Sequence, residues 1–308
     1  MNVDVISDNP LWKPYRTGSY LVYDIATGKE KASEHFRSAW SLETHPYPAS
    51  GSHQLDAKRL VEILKSEVIV PYKTRDLFLV DLREETHGFL DGRAASWYAD
   101  NDFENVGQPP ALIERDEESR LAALAGQTVQ VYTIEDDPRD NRAQQRVMPV
   151  SYDEIGVVKP ETEKQAFDGL ELGNCTIHCV RIPVTDHCGP SDAALAALRS
   201  RVPVSSDPGN AWVHFHCHGG DGRTTTFLAL YDMLCWKQSN EVLPDRGMED
   251  FACRQCRLFS YCLNPYGCRS PDGTACGDCK GQPMVVDWKS SLAEVRWRTL
   301  EDFLESLG

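Results

Sequence analysis

The segment HFHCHGGDGRTTTF, residues 214–227, contains the residue types with the clearest chemical potential in this chain. One cysteine, Cys217, precedes one arginine, Arg223, with five residues between them, and three of those five are glycines. Glycines let a loop turn tightly enough for successive backbone N–H groups to point inward, and such a loop binds anions. It also favours the thiolate, which is the reactive form of cysteine, while the arginine fork can hold two phosphoryl oxygens. The spacing therefore predicts a phosphate site beside a nucleophile.

Patterns of apolar residues predict the elements that must position this loop. The preceding AWVHFH is typical of a buried strand, and the following RTTTFLALYDMLCWK is typical of an apolar helix. The anion site would then lie at a helix N-terminus, whose dipole favours negative charge. This context argues against the plainer alternative, a buried cysteine in a glycine-rich turn. Further strand patterns occur in RDLFLVDLR, TVQVYTI and NCTIHCVRIPV, and further helix patterns in QLDAKRLVEILKSE, ERDEESRLAALAG, SDAALAALRSRV and WKSSLAEVRWRTLEDFLESL. Their alternation favours an α/β fold.

Composition excludes several classes of protein. The chain has 308 residues, of which 41% are hydrophobic and 26% charged, as in ordinary globular proteins. No apolar run reaches the roughly 18–20 residues that span a bilayer. A net charge of −15 argues against nucleic-acid binding, and it means that a polyanionic substrate needs a local basic pocket. The first residues lack the pattern of a signal peptide, which favours the cytoplasm; a periplasmic or secreted protein whose signal has been removed is the alternative.

Four motifs resemble those of a known family. HCHGGDGRT matches the HCxxGxGR[ST] signature of cysteine-dependent phosphatases, and the chain is similar in particular to the protein-tyrosine-phosphatase-like inositol polyphosphatases, or cysteine phytases. FLVDLREETHGFLDGRAASWY resembles the family's DLR-x-E-[ST]-HG segment, and VRIPVTDHCGP resembles its general-acid loop. EHFR resembles a short N-terminal motif that ends in a substrate-contacting arginine. The likeness covers most of residues 34–237, with a fainter match in the last helix.

The resemblance implies an α/β fold with a tyrosine-phosphatase-like core, a central mixed sheet flanked by helices, and a small inserted β-barrel-like module. The core would comprise residues 34–106 and 171–308, including a Cys-rich insert at 253–279. Residues 107–170 would form the β-rich module, in which TVQVYTI supplies a strand. An N-terminal strand within residues 15–30 would join that module.

The resemblance also implies catalytic roles. Cys217 would attack phosphorus and form a phosphocysteine, while Arg223 and the loop amides would hold the equatorial oxygens. Asp186 would protonate the leaving alkoxide and later activate water; capping of the helix that starts near residue 191 is its alternative role. Thr224 would hydrogen-bond the thiolate. This chemistry needs no cofactor.

The residues expected to bind substrate are the rest of the loop and four residues outside it. They are His218, Gly219, Gly220, Asp221, Gly222, Arg37, His187, Lys289 and Arg296. Arg37 and His187 lie in matching local motifs, whereas for Lys289 and Arg296 a solvated helix face is the alternative.

Two loop residues depart from the family pattern. Relatives often have neutral or basic residues where this chain has His218 and Asp221. A carboxylate at the rim of a phosphate site repels a highly charged substrate unless it is paired or points away. The departure bears on the preference for the most phosphorylated inositols and leaves the phosphatase chemistry unaffected.

Six of the eleven cysteines lie between residues 253 and 279. Cys253 and Cys256 form one C-x2-C pair, and Cys276 and Cys279 form another nineteen residues further on, a spacing typical of four-thiolate zinc sites. Disulfides would serve equally in an exported protein, and an iron–sulfur cluster is a third alternative. We expect a structural zinc ion with no part in the reaction.

These features together predict a phosphatase that removes phosphates stepwise from myo-inositol polyphosphates such as phytate. A phosphotyrosine-protein or phosphoinositide phosphatase is the alternative within the same class. A binding module that holds a phosphorylated ligand with weak catalysis is the alternative outside it. The presence of Cys217, Arg223 and Asp186 together argues against mere binding, and Asp221 is the one feature in its favour. The expected partner is a small-molecule inositol polyphosphate, and the sequence predicts no oligomeric state.

Overall fold

The computed structural model describes residues 19–24, 35–136, 147–240, 242, 244, 247–269 and 287–308. Within these residues the strands form two six-stranded mixed sheets. The strands are β1 (Tyr20–Tyr23), β2 (Arg37–Ser38), β3 (Ala49–His53), β4 (Asp76–Arg83), β5 (His87–Leu90), β6 (Arg93–Tyr98), β7 (Thr128–Asp136), β8 (Val147–Gly156), β9 (Pro160–Glu161), β10 (Glu171–Leu172), β11 (Cys175–Val184) and β12 (Ala211–Cys217). The α-helices are α1 (Ala57–Leu64), α2 (Pro110–Leu124), α3 (Glu163–Phe167), α4 (Asp192–Arg201), α5 (Gly222–Ser239), α6 (Met248–Leu258) and α7 (Asp287–Glu305). A π-helical turn, Lys65–Ile69, and a short α-helical segment, Val70–Tyr72, follow α1.

The central sheet carries the Cys-x5-Arg loop. Its strand order is β10-β11-β4-β12-β3-β2, in which β11, β4, β12 and β3 run parallel and the two edge strands are antiparallel. The carboxyl ends of parallel strands meet at one edge, which is where open α/β sheets bind ligands. Register pairs Cys217 with His53 and Val184 with Arg83, so the loops that follow β4, β11 and β12 emerge together. This edge is the natural place for a site.

Strand β12 lies in the middle of the sheet, with every residue buried. Because side chains alternate along a strand, Val213 and Phe215 join the core formed with α4, α5, α6 and α7, whereas Trp212 joins the core formed with α1. Helix α5 is enclosed by the first of these cores, and residues 223–233 are all buried. Its apolar sequence on all sides follows from that enclosure.

The second sheet has the order β8-β7-β1-β6-β5-β9. Strand β1 lies between β7, to which it is parallel, and β6, to which it is antiparallel. The sheet is wider than the module expected from the sequence, because it includes residues 87–98 from the stretch assigned to the core. These residues form a hairpin whose two-residue turn, Asp91 and Gly92, has positive φ at both positions, as a type I′ turn requires.

Most elements expected from the sequence are present, with shifted ends. Ser191 caps α4 by accepting a hydrogen bond from the Ala194 backbone N–H. Helix α2 begins four residues before the ERDEESRLAALAG pattern, at Pro110, and Gly126 after its end has φ +71°. Within the ranges given above, no helix is long and apolar enough to cross a membrane.

Candidate active site

The loop after β12 encloses the Cys217 sulfur. The Gly220 backbone N–H donates to Sγ at 3.2 Å, and the Thr224 hydroxyl donates at 3.1 Å. Gly220 has φ +76°, and a Cβ there would lie 2.5 Å from the His53 backbone nitrogen. Glycine is therefore required at this position for both reasons. Two hydrogen-bond donors are thus aimed at the buried sulfur.

Arg223 is held by a partner that the motif analysis did not assign. Its Nη1 and Nη2 donate to the two carboxylate oxygens of Glu85 at 2.6 and 3.0 Å, and Nη1 also donates to the Val184 carbonyl at 3.2 Å. Burial alone would lower the pKa of Arg223, but Asp186 and Glu85 hold it well above its ordinary value. The guanidinium is thus charged and fixed in orientation at the carboxyl edge of the sheet.

Glu85 belongs to a buried chain of ion pairs that reaches the second sheet. Arg83 donates from Nε to Glu85 at 2.7 Å and from Nη1 to Asp24 at 2.7 Å. Asp24 in turn accepts from the Ser96 hydroxyl at 2.6 Å. The signal for this network was present in the segment DLREETHG, although the segment alone does not identify its partners.

Asp186 lies directly after β11 and faces Arg223. Its Oδ1 is 3.2 Å from Arg223 Nε, and its Oδ2 is 3.0 Å from His187 Nε2. Burial alone would raise the pKa of Asp186, but Arg223 and His187 outweigh it and hold that pKa below its usual value. The alternative capping role does not fit, because Ser191 supplies the cap of α4. The carboxylate is therefore placed beside the loop and its arginine.

The C-terminal helix contributes cations to the same place. The pKa of His187 is lowered to about 4, first by burial and then by the positive charges of Lys289, Arg223 and Arg296. Arg296 is only 3% exposed, and its guanidinium lies over the Tyr261 ring at 5.7 Å. A solvated helix face therefore does not describe Arg296. Arg296 therefore lies at the loop, beside Gly222, and Lys289 lies within electrostatic reach of His187.

Arg37 lies beneath the loop, in contact with it. Its Nη2 donates to the Gly220 carbonyl at 2.7 Å and to the Thr225 hydroxyl at 2.9 Å. Burial lowers the pKa of Arg37 to about 10, although the nearby charges of Cys217 and Asp221 oppose the shift. In this arrangement Arg37 supports the loop and places a positive charge close to the sulfur.

The two departures from the family pattern both have partners. His218 Nδ1 is 3.3 Å from Asp102, and its Nε2 is 3.6 Å from Asp24, so its pKa is raised even though burial acts in the opposite direction. Asp221 is half exposed at the rim, and its Oδ1 is 3.4 Å from His35 Nδ1. Burial raises the pKa of Asp221 despite this pairing. The pairing with His35 and the raised pKa of Asp221 both weaken the repulsion that an isolated aspartate would exert on a phosphate.

The predicted metal ligands are only partly described. Cys253 and Cys256 lie on α6, whereas Cys276 and Cys279 are outside the described residues. The ligand set expected from the two C-x2-C pairs therefore stays a prediction.

A strand, a Cys-x5-Arg loop and a helix on a mixed α/β sheet define the tyrosine-phosphatase-like class of fold. A model of the PTP-like phytase family matches residues 80–235, and the description of that family reads "inositol hexakisphosphate". This match covers half of the chain, and the chain belongs to that family. The fold class predicted from the sequence is confirmed by the solved structures that the chain resembles.

Two solved phytases illustrate the resemblance. The tandemly repeated protein tyrosine phosphatase-like phytase of Mitsuokella multacida matches with a TM-score of 0.70 and 25% identity, over 96% of this chain and 47% of that one. The PTP-like phytase of Bdellovibrio bacteriovorus matches with a TM-score of 0.61 and 25% identity, over 97% of this chain and 93% of that one. The chain thus spans about half the length of the Mitsuokella protein.

Two further matches support less than these two structures do. The PTP-like myo-inositol phosphatase of Mitsuokella multacida, solved with myo-inositol-(1,3,4,5)-tetrakisphosphate, has a TM-score of 0.70 and 24% identity over 96% of this chain and 47% of that one. Mouse paladin is 43% identical over 74 residues, which are 23% of this chain and 8% of paladin. The first of these matches supports the fold, and the second covers a small fraction of its relative.

Proposed function

We propose that this protein hydrolyses phosphate monoesters of myo-inositol polyphosphates, with Cys217 as nucleophile and Asp186 as general acid. The observation that carries the proposal is the convergence of the Cys217 sulfur, the Arg223 fork and the Asp186 carboxylate at one sheet edge. The description of the family and the tetrakisphosphate bound to the Mitsuokella enzyme support the substrate class.

In the first step the Cys217 thiolate attacks phosphorus. The S–P bond forms as the P–O bond to the inositol breaks, and Asp186 donates its proton to the leaving alkoxide. The loop N–H groups and Arg223 stabilise the equatorial oxygens, where negative charge concentrates in the transition state. Glu85 contributes by holding the Arg223 fork in one orientation, so little reorganisation is needed during the reaction.

In the second step the phosphocysteine is hydrolysed. Asp186, now a carboxylate, accepts a proton from water, the new O–P bond forms and the S–P bond breaks. Inorganic phosphate leaves and the thiolate is regenerated. Repetition on the product, which is still an inositol phosphate, gives stepwise removal.

Substrate binding would also prepare the acid. In the free protein Arg223 lowers the pKa of Asp186, which opposes its protonation. A phosphoryl group bound to Arg223 brings negative charge to the same point, so it raises the pKa of Asp186 toward the protonated form that the first step needs. The same pair of residues therefore serves binding and proton transfer.

The basic residues outside the loop favour a substrate with several phosphates. Lys289 and Arg296 lie around the site of a protein whose net charge is −15. A single phosphoryl group is already served by the loop and Arg223, whereas additional phosphates would use the surrounding cations. This distribution favours inositol polyphosphates over a phosphotyrosine side chain.

The test is phosphate release from inositol hexakisphosphate, from an inositol tetrakisphosphate and from a phosphotyrosine peptide. We expect release from the inositol substrates, abolished by Cys217→Ser and retained by Cys235→Ser, which alters a thiol elsewhere on α5. Chromatography of the products would show successive intermediates if removal is stepwise. Release from the peptide alone would instead favour the protein phosphatase, and binding of the hexakisphosphate without release would favour the binding module.

Asp186→Asn tests the acid separately. An inositol alkoxide is a poor leaving group and needs the proton, so turnover should fall by about 10²–10⁴-fold. An aryl phosphate with a good leaving group should lose far less. Equal losses on both substrates would contradict the assignment of Asp186 as the acid.

A further inference from the structure

Four thiols outside the candidate active site lie close together. Cys253 and Cys256 are three residues apart on α6, so they share one face of the helix. Cys262 and Cys268 follow in the segment that continues from that helix. All four are buried, with exposed fractions of 7%, 2%, 5% and 0% in chain order.

The four sulfurs converge on Cys268. The sulfurs of Cys256, Cys262 and Cys268 lie within 4.8 Å of one another, and Cys268 is 3.1 Å from Cys262 and 3.9 Å from Cys256. Cys253 also hydrogen-bonds to Cys268. A disulfide would join two of these sulfurs and leave the convergence of the other two unexplained.

A single ion accounts for the whole cluster. Zinc binds thiolate sulfur at about 2.3 Å in tetrahedral geometry, which separates the sulfurs by about 3.8 Å. The Cys268–Cys262 and Cys268–Cys256 separations, 3.1 and 3.9 Å, lie on either side of that value, which fits three sulfurs around one ion. Four sulfur ligands in a tetrahedron select zinc or iron over hard cations such as magnesium.

We propose that Cys253, Cys256, Cys262 and Cys268 bind one zinc ion through four thiolates. Each thiol releases its proton to solvent as the ion binds, and no change of oxidation state is involved. This set keeps Cys253 and Cys256 from the sequence prediction and replaces Cys276 and Cys279. The ligand pattern is then C-x2-C-x5-C-x5-C within a segment of sixteen residues, 253–268.

The zinc site would hold two aromatic residues against the candidate active site. Phe259 and Tyr261 lie between the second and third ligands. The Arg37 guanidinium lies 4.5 Å from the centre of the Phe259 ring. The Tyr261 hydroxyl hydrogen-bonds to Arg296 and would be 3.0 Å from a Cβ at Gly222. The zinc ion would therefore position Arg37 and Arg296, a consequence that rests on the proposed function.

The primary test is the metal content of the wild-type protein purified under reducing conditions. We expect about one zinc per chain by elemental analysis, released by a mercurial reagent with exposure of thiols. Absence of stoichiometric metal, iron in place of zinc, two zinc ions per chain, or a Cys262–Cys268 disulfide in peptide mapping would each overturn the proposal. This measurement does not depend on activity, so it is independent of the proposed function.

A second test separates the two ligand sets. Cys262→Ser/Cys268→Ser should lose the zinc, whereas Cys276→Ser/Cys279→Ser should retain it. If the variants fold poorly, cobalt substitution of the wild-type protein gives an independent readout. Thiolate-to-cobalt absorption reports tetrahedral sulfur coordination directly. Zinc loss only in the Cys276/Cys279 variant, or a cobalt spectrum without thiolate bands, would contradict the proposed ligands.

The positioning role has its own readout. Chelation of the zinc should raise KM for the inositol substrate by about tenfold, with a smaller change in kcat, because Arg37 and Arg296 lose their support. Readdition of zinc should restore KM, and Cys235→Ser should behave as the wild type. An unchanged KM in metal-free, folded protein would remove the positioning role. An inactive protein with one bound zinc would count against the proposed function and leave the metal site standing.

Discussion

Glu85 accepts hydrogen bonds from Arg223 through both of its carboxylate oxygens, although the two residues are 138 positions apart in the chain. Strands β4 and β12 are neighbours in the central sheet, so the loops that follow them meet at one edge. Bidentate pairing fixes the plane of the guanidinium as well as its position. The arginine of the phosphate loop is thus oriented before any substrate arrives.

Glu85→Gln should lower kcat/KM for the inositol substrate by about 10²-fold, since the fork loses its charged partner and its fixed plane. The thermal midpoint should also fall, because Arg83 and Arg223 both lose a buried partner. Asp232→Asn is the matched control, since Asp232 holds Arg254 at 2.8 Å in another buried ion pair. A comparable kinetic loss in both variants would indicate that destabilisation alone is responsible.

The Gly220 position gives a second prediction. Gly220→Ala forces a Cβ into the His53 backbone and into a positive φ, so the N–H that points at the Cys217 sulfur must move. Turnover should fall by at least about 10²-fold, and stability by about 1–3 kcal/mol. Gly219→Ala is the comparison, because its Cβ would meet nothing closer than Asp221 at 3.9 Å. Steady-state kinetics and chemical denaturation of the two variants check this, and losses of equal size would contradict the steric argument.

The sequence predicted those parts of the site that lie in one contiguous segment of the chain. Cys217, Arg223, Thr224 and the glycines are adjacent in the chain, and strand and helix patterns flank them. Glu85 has the same importance for the loop, yet only the pairing of β4 with β12 brings it to Arg223. A single sequence contains both Glu85 and Arg223, but it does not show that they are in contact.

Long-range strand pairing, which one sequence does not show, also explains why residues 87–98 belong to the second sheet. The Asp91-Gly92 turn in FLDGRA is a strong hairpin signal, but a hairpin does not say which sheet it joins. Its membership depends on the pairing of β6 with β1, a strand about seventy residues away in the chain. Likewise, C-x2-C spacing could not show that folding brings Cys262 and Cys268 close to Cys256.

Ionisation of buried carboxyl groups should lower the stability of the fold as the pH rises from about 5 to 8. Burial raises the pKa of Glu84 to about 7, although the Thr185 hydroxyl donates to its carboxylate. A raised carboxyl pKa contributes stability below its usual value of 4.5, and that contribution is lost as the pH rises through the folded value. Glu104, at about 7, and Asp102 and Asp232, at about 6, act in the same direction.

Glu84→Gln isolates one part of this dependence. The variant cannot ionise, so its free energy of unfolding should decline less steeply between pH 5 and 8, by up to about 1 kcal/mol per pH unit. Denaturant titrations at a series of pH values measure the slope directly. Glu62→Gln, an exposed substitution on α1, serves as the control and should keep the wild-type slope. Identical slopes in all three proteins would place the ionisation elsewhere.

Asp221 should limit the preference for the most highly phosphorylated substrates. Its carboxylate is half exposed at the rim of the loop, and His35 pairs with it at 3.4 Å. Asp221→Asn removes the negative charge, so kcat/KM for inositol hexakisphosphate should rise several-fold relative to an inositol bisphosphate. The gain should shrink at high ionic strength, because salt screens partly exposed charges. Competition assays with the two substrates at low and high salt measure the ratio. A salt-independent gain would point to a steric origin, and an unchanged ratio would mean that the pairing with His35 already suppresses the charge.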